Sequence, residues 1–506
     1  MNYADLFRVT LPETALEVAA LIVLIVDLGF LHKAALKVRV TVAALLGVVG
    51  CGAALWAIGI QVGLGLYVDE SPVLAIGGGV AVAQIGILVL TALTFLLLID
   101  LDFTRHVGEY VAVVLMAATG GLLIASAQDL LVIFVGLELL SLGLYILTAF
   151  SKGSGKSAEA AMKYYLFGGM SAAFLLFGFS YFYGLSGTTN LFGIQQAIWK
   201  SGPSVLFFVA WILVVAGLGF KVAAVPFHLW APDTYEGAPA SSAAFIASVS
   251  KVASFALLIS LSNSWLRIGE RSWSGTLLTG TLLTFLVLAD ASMIVGNLAA
   301  LAQVSVRRLV AYSAIAHAGY ILLGIAFIPG ISGPGTKSDL ASPVWVETAV
   351  LYYILTYGLT TIGAFGVVSV VERATGSDRL DSFRGLHKRN PLLAAVLLVL
   401  FLSLAGIPPL VGFWAKFNLF AAVLGVSAGA VPFGLVALAV ALSAVSLYYY
   451  LQVLKRAYVM PAIDESPIKA HPVTMAVLLF IAATVVILGC FPALLQGWIQ
   501  SFYPIP

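Results

Sequence analysis

Apolar residues run in stretches of twenty or more along most of this chain, separated by short polar connections. A helix crossing the roughly 30 Å hydrocarbon core needs about 20 such residues, so the pattern predicts membrane spans. Fourteen are expected, near residues 12–30, 40–61, 74–98, 107–127, 129–150, 158–184, 205–230, 237–263, 275–300, 308–328, 344–371, 391–425, 430–457 and 471–500. Two are irregular. The seventh contains Gly217, Gly219, Lys221 and Pro226 and continues through His228 to Pro232. The twelfth, at about 35 residues, would reach about 52 Å as one helix. It holds Gly406, Pro408, Pro409 and Gly412 at its middle, with Lys416 just beyond. Proline removes a backbone donor and clashes with the preceding turn, so both helices are expected to break there.

Broken helices five spans apart, each with an ionisable residue by the break, mark inverted-repeat transporters. The expected fold class is an all-α integral membrane protein with two inverted five-helix repeats, spans 4–8 and 9–13. An N-terminal three-helix segment covers 1–106, the first repeat 107–263, the second 275–457, and a C-terminal helix 471–506.

Composition agrees, with 61% hydrophobic residues, 9% charged and a mean hydropathy of +1.07. The first span carries Glu13, Glu17 and Asp27 and lacks a basic leader region, so it is expected to remain as a helix. Of the 25 basic residues, sixteen fall in odd-numbered connections, five of them in the polar strap 372–390. Only Arg8, Lys200, Arg267, Arg271 and Lys337 fall on the opposite side. Basic residues favour the cytoplasmic face, so both termini are expected on the outer side of the membrane. The connection 329–343 is expected to be an outside loop.

The net charge of +2 argues against a nucleic-acid partner. Two cysteines, Cys51 and Cys490, cannot supply an iron–sulfur cluster or a cysteine zinc site, and are expected to be buried, inert thiols. The run Gly153-Ser154-Gly155-Lys156-Ser157 has Phe150 where a phosphate-binding loop needs glycine, and reads as a plain loop. Without a dinucleotide fingerprint or haem motif, any redox cofactor is expected on other chains.

Four basic residues remain, all lysines inside apolar stretches: Lys163, Lys221, Lys251 and Lys416. Each would cost about 2.5–3.5 kcal/mol at the bilayer centre if uncompensated, so a polar path is expected around them. Lys251 sits mid-span, too deep to snorkel. Lys221 and Lys416 adjoin the breaks, where freed carbonyls can solvate an ammonium. Lysine, unlike arginine, can release a proton once its hydration is lost. Lys163 lies six residues into its span and either joins the path or snorkels to the inside surface. Glu138, near the middle of the fifth span, is expected to pair with Lys221 or Lys163, a pair whose weakening frees the lysine to give up its proton. His317 fits a proton wire or a satisfied core histidine, and His228 a link from the Pro226 break to the inside surface. Asp290 is either a second-half acid or a cap at a helix contact.

The stretch 226–239, PFHLWAPDTYEGAP, resembles the proton-pumping antiporter-like subunits of respiratory complex I. So do GLELLSLGLYIL at 136–147, AYSAIAHAGY at 311–320 and GFWAKFNLF at 412–420. The form LWAPDTYEGAP is more like the N-type subunit of NADH–quinone oxidoreductase than its sisters. Lys416 stands where the M type has glutamate, and the chain ends before any lateral helix of the L type. The resemblance implies a relay from the Glu138–Lys221 pair, adjusted by Lys163, through Lys251 and His317 to Lys416. It also implies partners: a sister antiporter-like subunit and small membrane subunits leading to the quinone site. No cofactor is expected in this chain; FMN and iron–sulfur clusters would sit in partner subunits. The alternative is a subunit of an Mrp-type cation/proton antiporter.

Overall fold

The computed structural model describes residues 7–64, 73–100, 103–202, 204–266, 276–328, 343–426 and 429–503. Most of the expected 329–343 loop, with Arg267, Arg271 and Lys337, lies outside them. The described residues are helical, with only isolated bridge pairs in place of strands. In chain order the helices are α1 Leu11–Ile25, α2 Leu36–Gly63, α3 Gly78–Leu98, α4 Val107–Ser126, α5 Leu130–Thr148 and α6 Gly155–Ser186. Then come α7 Leu191–Ser201, α8 Val205–Val222, α9 Trp230–Gly237, α10 Ala240–Leu266, α11 Thr276–Leu301 and α12 Val306–Phe327. Last are α13 Pro343–Thr375, α14 Pro391–Ala405, α15 Val411–Val426, α16 Ala430–Tyr458, α17 Pro472–Cys490 and α18 Pro492–Gln500.

Among the described residues, twelve helices are long and apolar enough to cross a membrane. The other two expected spans are represented by shorter pieces: α1 with a π-helical turn over Val26–Phe30, and the broken pair α14–α15. Polar side chains set the helix starts by accepting an orphan backbone N–H: Asp129 for α5, Ser154 for α6, Ser204 for α8, Ser305 for α12 and Asn390 for α14. Helix α7 is an addition that the apolar runs do not announce. It lies on the even-numbered side and buries Leu191, Ile194 and Ile198 along one stripe.

Contacts between connections sort by side. Arg39 holds Asp27 at 2.7 and 2.6 Å, and Asp27 also accepts from Gly108 N at 3.0 Å. Arg373 bridges to Asp100, which accepts from His471 N as well. The strap is tied to the 461–468 connection by Arg389 to Ser466 O and Asn390 to Ile468 O. All of these join odd-numbered connections. Opposite them, Gln61 donates to Arg8 O, and Asn263 and Tyr503 both donate to Glu347. These contacts thus group the connections they join onto two opposite faces, odd with odd and even with even.

Helices α10, α12 and α13 form the buried centre, while α6 and α16 keep broad apolar faces outward. Both expected breaks are present. Helix α8 ends at Val222 on Ala223, in the left-handed region at φ 58°, and α14 ends at Ala405 on Gly406 at φ 89°. At the first break, Val225 N donates to Ser292 Oγ on α11, and Trp230 Nε1 donates to Phe220 O. At the second, Gly412 N donates to Ser403 Oγ. Three carbonyls at the breaks, Val222 O, Leu404 O and Ala405 O, accept from side chains inside the protein, as interrupted membrane helices require.

Candidate functional site

Those carbonyls meet lysines. Lys251, on α10, donates to Val222 O at 3.3 Å and to Ala314 O of α12 at 2.8 Å. Lys416, on α15, donates to Leu404 O at 3.2 Å and Ala405 O at 3.0 Å, the last carbonyls before the second break. Its third bond goes to Ser443 Oγ of α16 at 2.8 Å, and Nζ lies 5.3 Å from the Tyr320 ring centre. Lys221 turns the other way, donating to Ser141 Oγ on α5, with the Tyr145 ring 5.9 Å off. All three lysines are buried. Each is solvated by neutral oxygens, with no carboxylate within 4.0 Å among the described residues. The freed carbonyl expected for Lys221 is taken by Lys251, because Val222 O faces α10 across the chain reversal.

His317 lies on α12, one turn beyond Ala314. Its Nδ1 is 2.9 Å from Tyr353 OH, and its Nε2 is 3.5 Å from Tyr450 OH, which is itself bonded to Ser313. A small cavity beside it is lined by Thr356, Tyr357, Thr360, Ser403 and Leu404. Leu404 is the residue whose carbonyl Lys416 holds, so His317 and Lys416 approach the same backbone from two sides. Hydroxyls and carbonyls around a space of this kind are the groups that bind buried water. Thus Lys251, His317 and Lys416 are brought together as expected.

Glu138 acts on Lys221 electrostatically, as the expected pair requires, but not by direct contact. It makes no ion pair within 4.0 Å and lies half-buried on the α5 face that also exposes Leu131, Val135, Leu142 and Ile146. Lys163 is not at the membrane centre: its side chain is 41% exposed and meets Glu159 at 2.6 Å and Asp233 at 2.8 Å. Lys163 lies beside one rim of the helix bundle, where the carboxylates of Glu159 and Asp233 hold it. His228 is buried in the α8–α9 connection with Nδ1 unpartnered, and it touches none of the three lysines. At Asp290, Oδ1 is buried without a hydrogen-bond partner. Cys51 is buried, but Cys490 is exposed at the end of α17, so one of the two thiols departs from expectation.

The structure adds a charged hub at the rim that single-residue reading missed. Asp233 on α9 accepts from Lys163 and, at 2.6 Å, from Arg308; Arg308 also holds Glu236 at 2.9 Å. Burial raises the Asp233 carboxyl, yet the two cationic donors outweigh it and hold the group below the ordinary carboxylate range. Next to it the buried Arg307 bonds Ala238 O and reaches Glu372 at 3.2 Å. A groove lined by Lys156, Glu236, Arg307, Glu372 and Asp378 opens beside this hub. The signal was present in the carboxylates of the Trp230–Gly237 stretch, which sit opposite the Arg307–Arg308 pair once the odd connections converge.

Residues 127–443 match the family described as NADH:quinone oxidoreductase/Mrp antiporter, transmembrane. NADH-quinone oxidoreductase subunit N 2 of Acidobacterium capsulatum is 46% identical, with 99% of each chain covered. A chain of respiratory complex I from Thermus thermophilus, solved with bound aureothin, superposes with a TM-score of 0.75 at 31% identity, covering 96% of this chain and 98% of that one. A chain of the Mrp complex from a Dietzia species shares the fold, with a TM-score of 0.76 at 21% identity and 97% of each chain covered. The buried lysines are therefore found in a chain that belongs to the NADH:quinone oxidoreductase/Mrp antiporter transmembrane family and, within it, to the subunit N group of NADH-quinone oxidoreductases.

Proposed function

We propose that this chain is a proton-translocating subunit of a bacterial inner-membrane NADH–quinone oxidoreductase, with both termini outside. Protons pass through Glu138, Lys221, Lys251, His317 and Lys416 with water between them, driven by quinone reduction in partner subunits that hold the flavin and iron–sulfur clusters. Lys163 adjusts the inner rim, and His228 serves the link from the first break to the inside surface. The observation that carries the reading is Lys251, whose single ammonium bonds the end of broken helix α8 and the helix that bears His317. An ammonium held by neutral carbonyls can lose its proton without leaving an unpaired carboxylate behind, which suits a relay better than a fixed ion pair would. The two halves, 107–263 and 275–457, are read as inverted repeats. In support, each break ends in a left-handed residue and lends a carbonyl to a lysine.

The test substitutes Lys221→Met and Lys416→Met separately and compares proton pumping with quinone reductase activity in membrane vesicles. Both variants are expected to assemble and to pump fewer protons per electron. Wild-type ratios in both would refute the relay. Replacing sodium by potassium in the buffer is expected to leave pumping unchanged, whereas a sodium requirement would favour cation/proton antiport on the same fold.

A further inference from the structure

Helix α11 shows one outward face carrying Leu283, Val287, Ile294 and Leu298, of which Leu283 and Val287 are 57% and 56% exposed. Helical spacing of three and four places Asp290 in that same row, between Val287 and Ile294. The residue is half-buried, its Oδ1 is buried without a hydrogen-bond partner, and no cation reaches it among the described residues. Asp290 stands about 21 Å from the start of α11 and about 17 Å from its end, close to mid-depth. Helix α8 continues the apolar surface with Val209 and Ile212, held against α11 by the Trp211–Phe285 ring contact at 5.6 Å.

A carboxylate at mid-depth on a lipid-facing surface is strongly unfavourable, and acidic residues in spans otherwise pair or face water. Inside this chain the row offers it no partner. We propose that the α8–α11 face is a docking surface for a helix of another membrane subunit, and that this helix places a lysine or arginine opposite Asp290. Depth excludes lipid headgroups and soluble proteins. A second copy meeting face to face would set one Asp290 against another, which like-charge repulsion disfavours. An apolar row supplies the packing, and the single carboxylate fixes the register of the incoming helix. Asp290 is thereby an assembly residue and takes no part in the relay.

The test uses the intact complex in its membrane. A photoreactive phenylalanine analogue placed at Val287 or Leu298 is irradiated, and the crosslinked peptide is identified. It is expected to come from a membrane helix of a different subunit, within one turn of a lysine or arginine. Asp290→Lys is expected to lower the assembled complex at least about tenfold, and changing that partner cation to glutamate is expected to restore it. Should the Asp290→Lys chain fail to accumulate, the isosteric Asp290→Asn decides, with weakened assembly expected. Crosslinks only to lipid, to a second copy or to a helix without a cation would overturn the proposal. So would wild-type assembly of Asp290→Lys, or of Asp290→Asn where that variant decides.

Discussion

Gly406 ties the second helix break to its lysine, and a single methyl group tests that tie. Its backbone lies at φ 89°, and a Cβ built there would sit 3.1 Å from Lys416 Cδ and 3.3 Å from Nζ. The left-handed backbone costs an alanine about 1–2 kcal/mol. The contact adds a second effect, because the lysine stem must move by a few tenths of an ångström. Its bonds to Leu404 O and Ala405 O are already 3.2 and 3.0 Å, so such a shift weakens both. Hydrogen bonds to a charged group contribute about 1.5–3 kcal/mol each, so the ammonium loses a substantial share of its solvation. Gly376 supplies the control, with φ 73° and nothing within 4 Å of its virtual Cβ. Gly376→Ala is expected to lower thermal stability while leaving protons per electron unchanged. Gly406→Ala is expected to lower both, read by dye-quench pumping normalised to quinone reductase activity. A wild-type ratio in Gly406→Ala would refute the claim that the break positions Lys416.

At Gly412 a Cβ would lie 1.9 Å from Ser403 O, a backbone atom, so Gly412→Ala is expected to cost about 3 kcal/mol or more and to deplete the assembled complex on native gels. Tyr353→Phe removes the partner of His317 Nδ1 and is expected to slow pumping severalfold at normal complex levels, measured in vesicles. Asp233, held below the ordinary carboxylate range, contributes stability that is fully present above about pH 4 and is lost as pH falls through its lower folded value. Corrected amide exchange of α9 is expected to show that loss on acidification, and Asp233→Asn to abolish the pH dependence.

The membrane class and both breaks were legible because they depend on apolar run length and on proline, which act locally. Which connections share a face was legible too, since it follows from the number of spans between them. Lys251 and Lys416 could be picked out by depth alone. Partnerships were less legible, because they depend on which helices become neighbours. Lys221 bonds a hydroxyl on α5 and meets Glu138 only through longer-range electrostatics, and the carbonyl beside it went to Lys251. Lys163 was drawn to Asp233, more than sixty residues away, by the convergence of α6, α9 and α12 at one rim. Cys490 sits in a run as apolar as that of Cys51, and hydropathy does not distinguish a face toward protein from a face toward lipid.

Lys251→Arg tests the relay most directly, since arginine keeps the charge but does not give up its proton. The measurement is protons moved per electron in vesicles containing the assembled complex, with quinone reductase activity recorded alongside. A sharply reduced ratio at a normal amount of complex is the predicted result. An unchanged ratio in Lys251→Arg would contradict the account, because the central link would then work without a releasable proton.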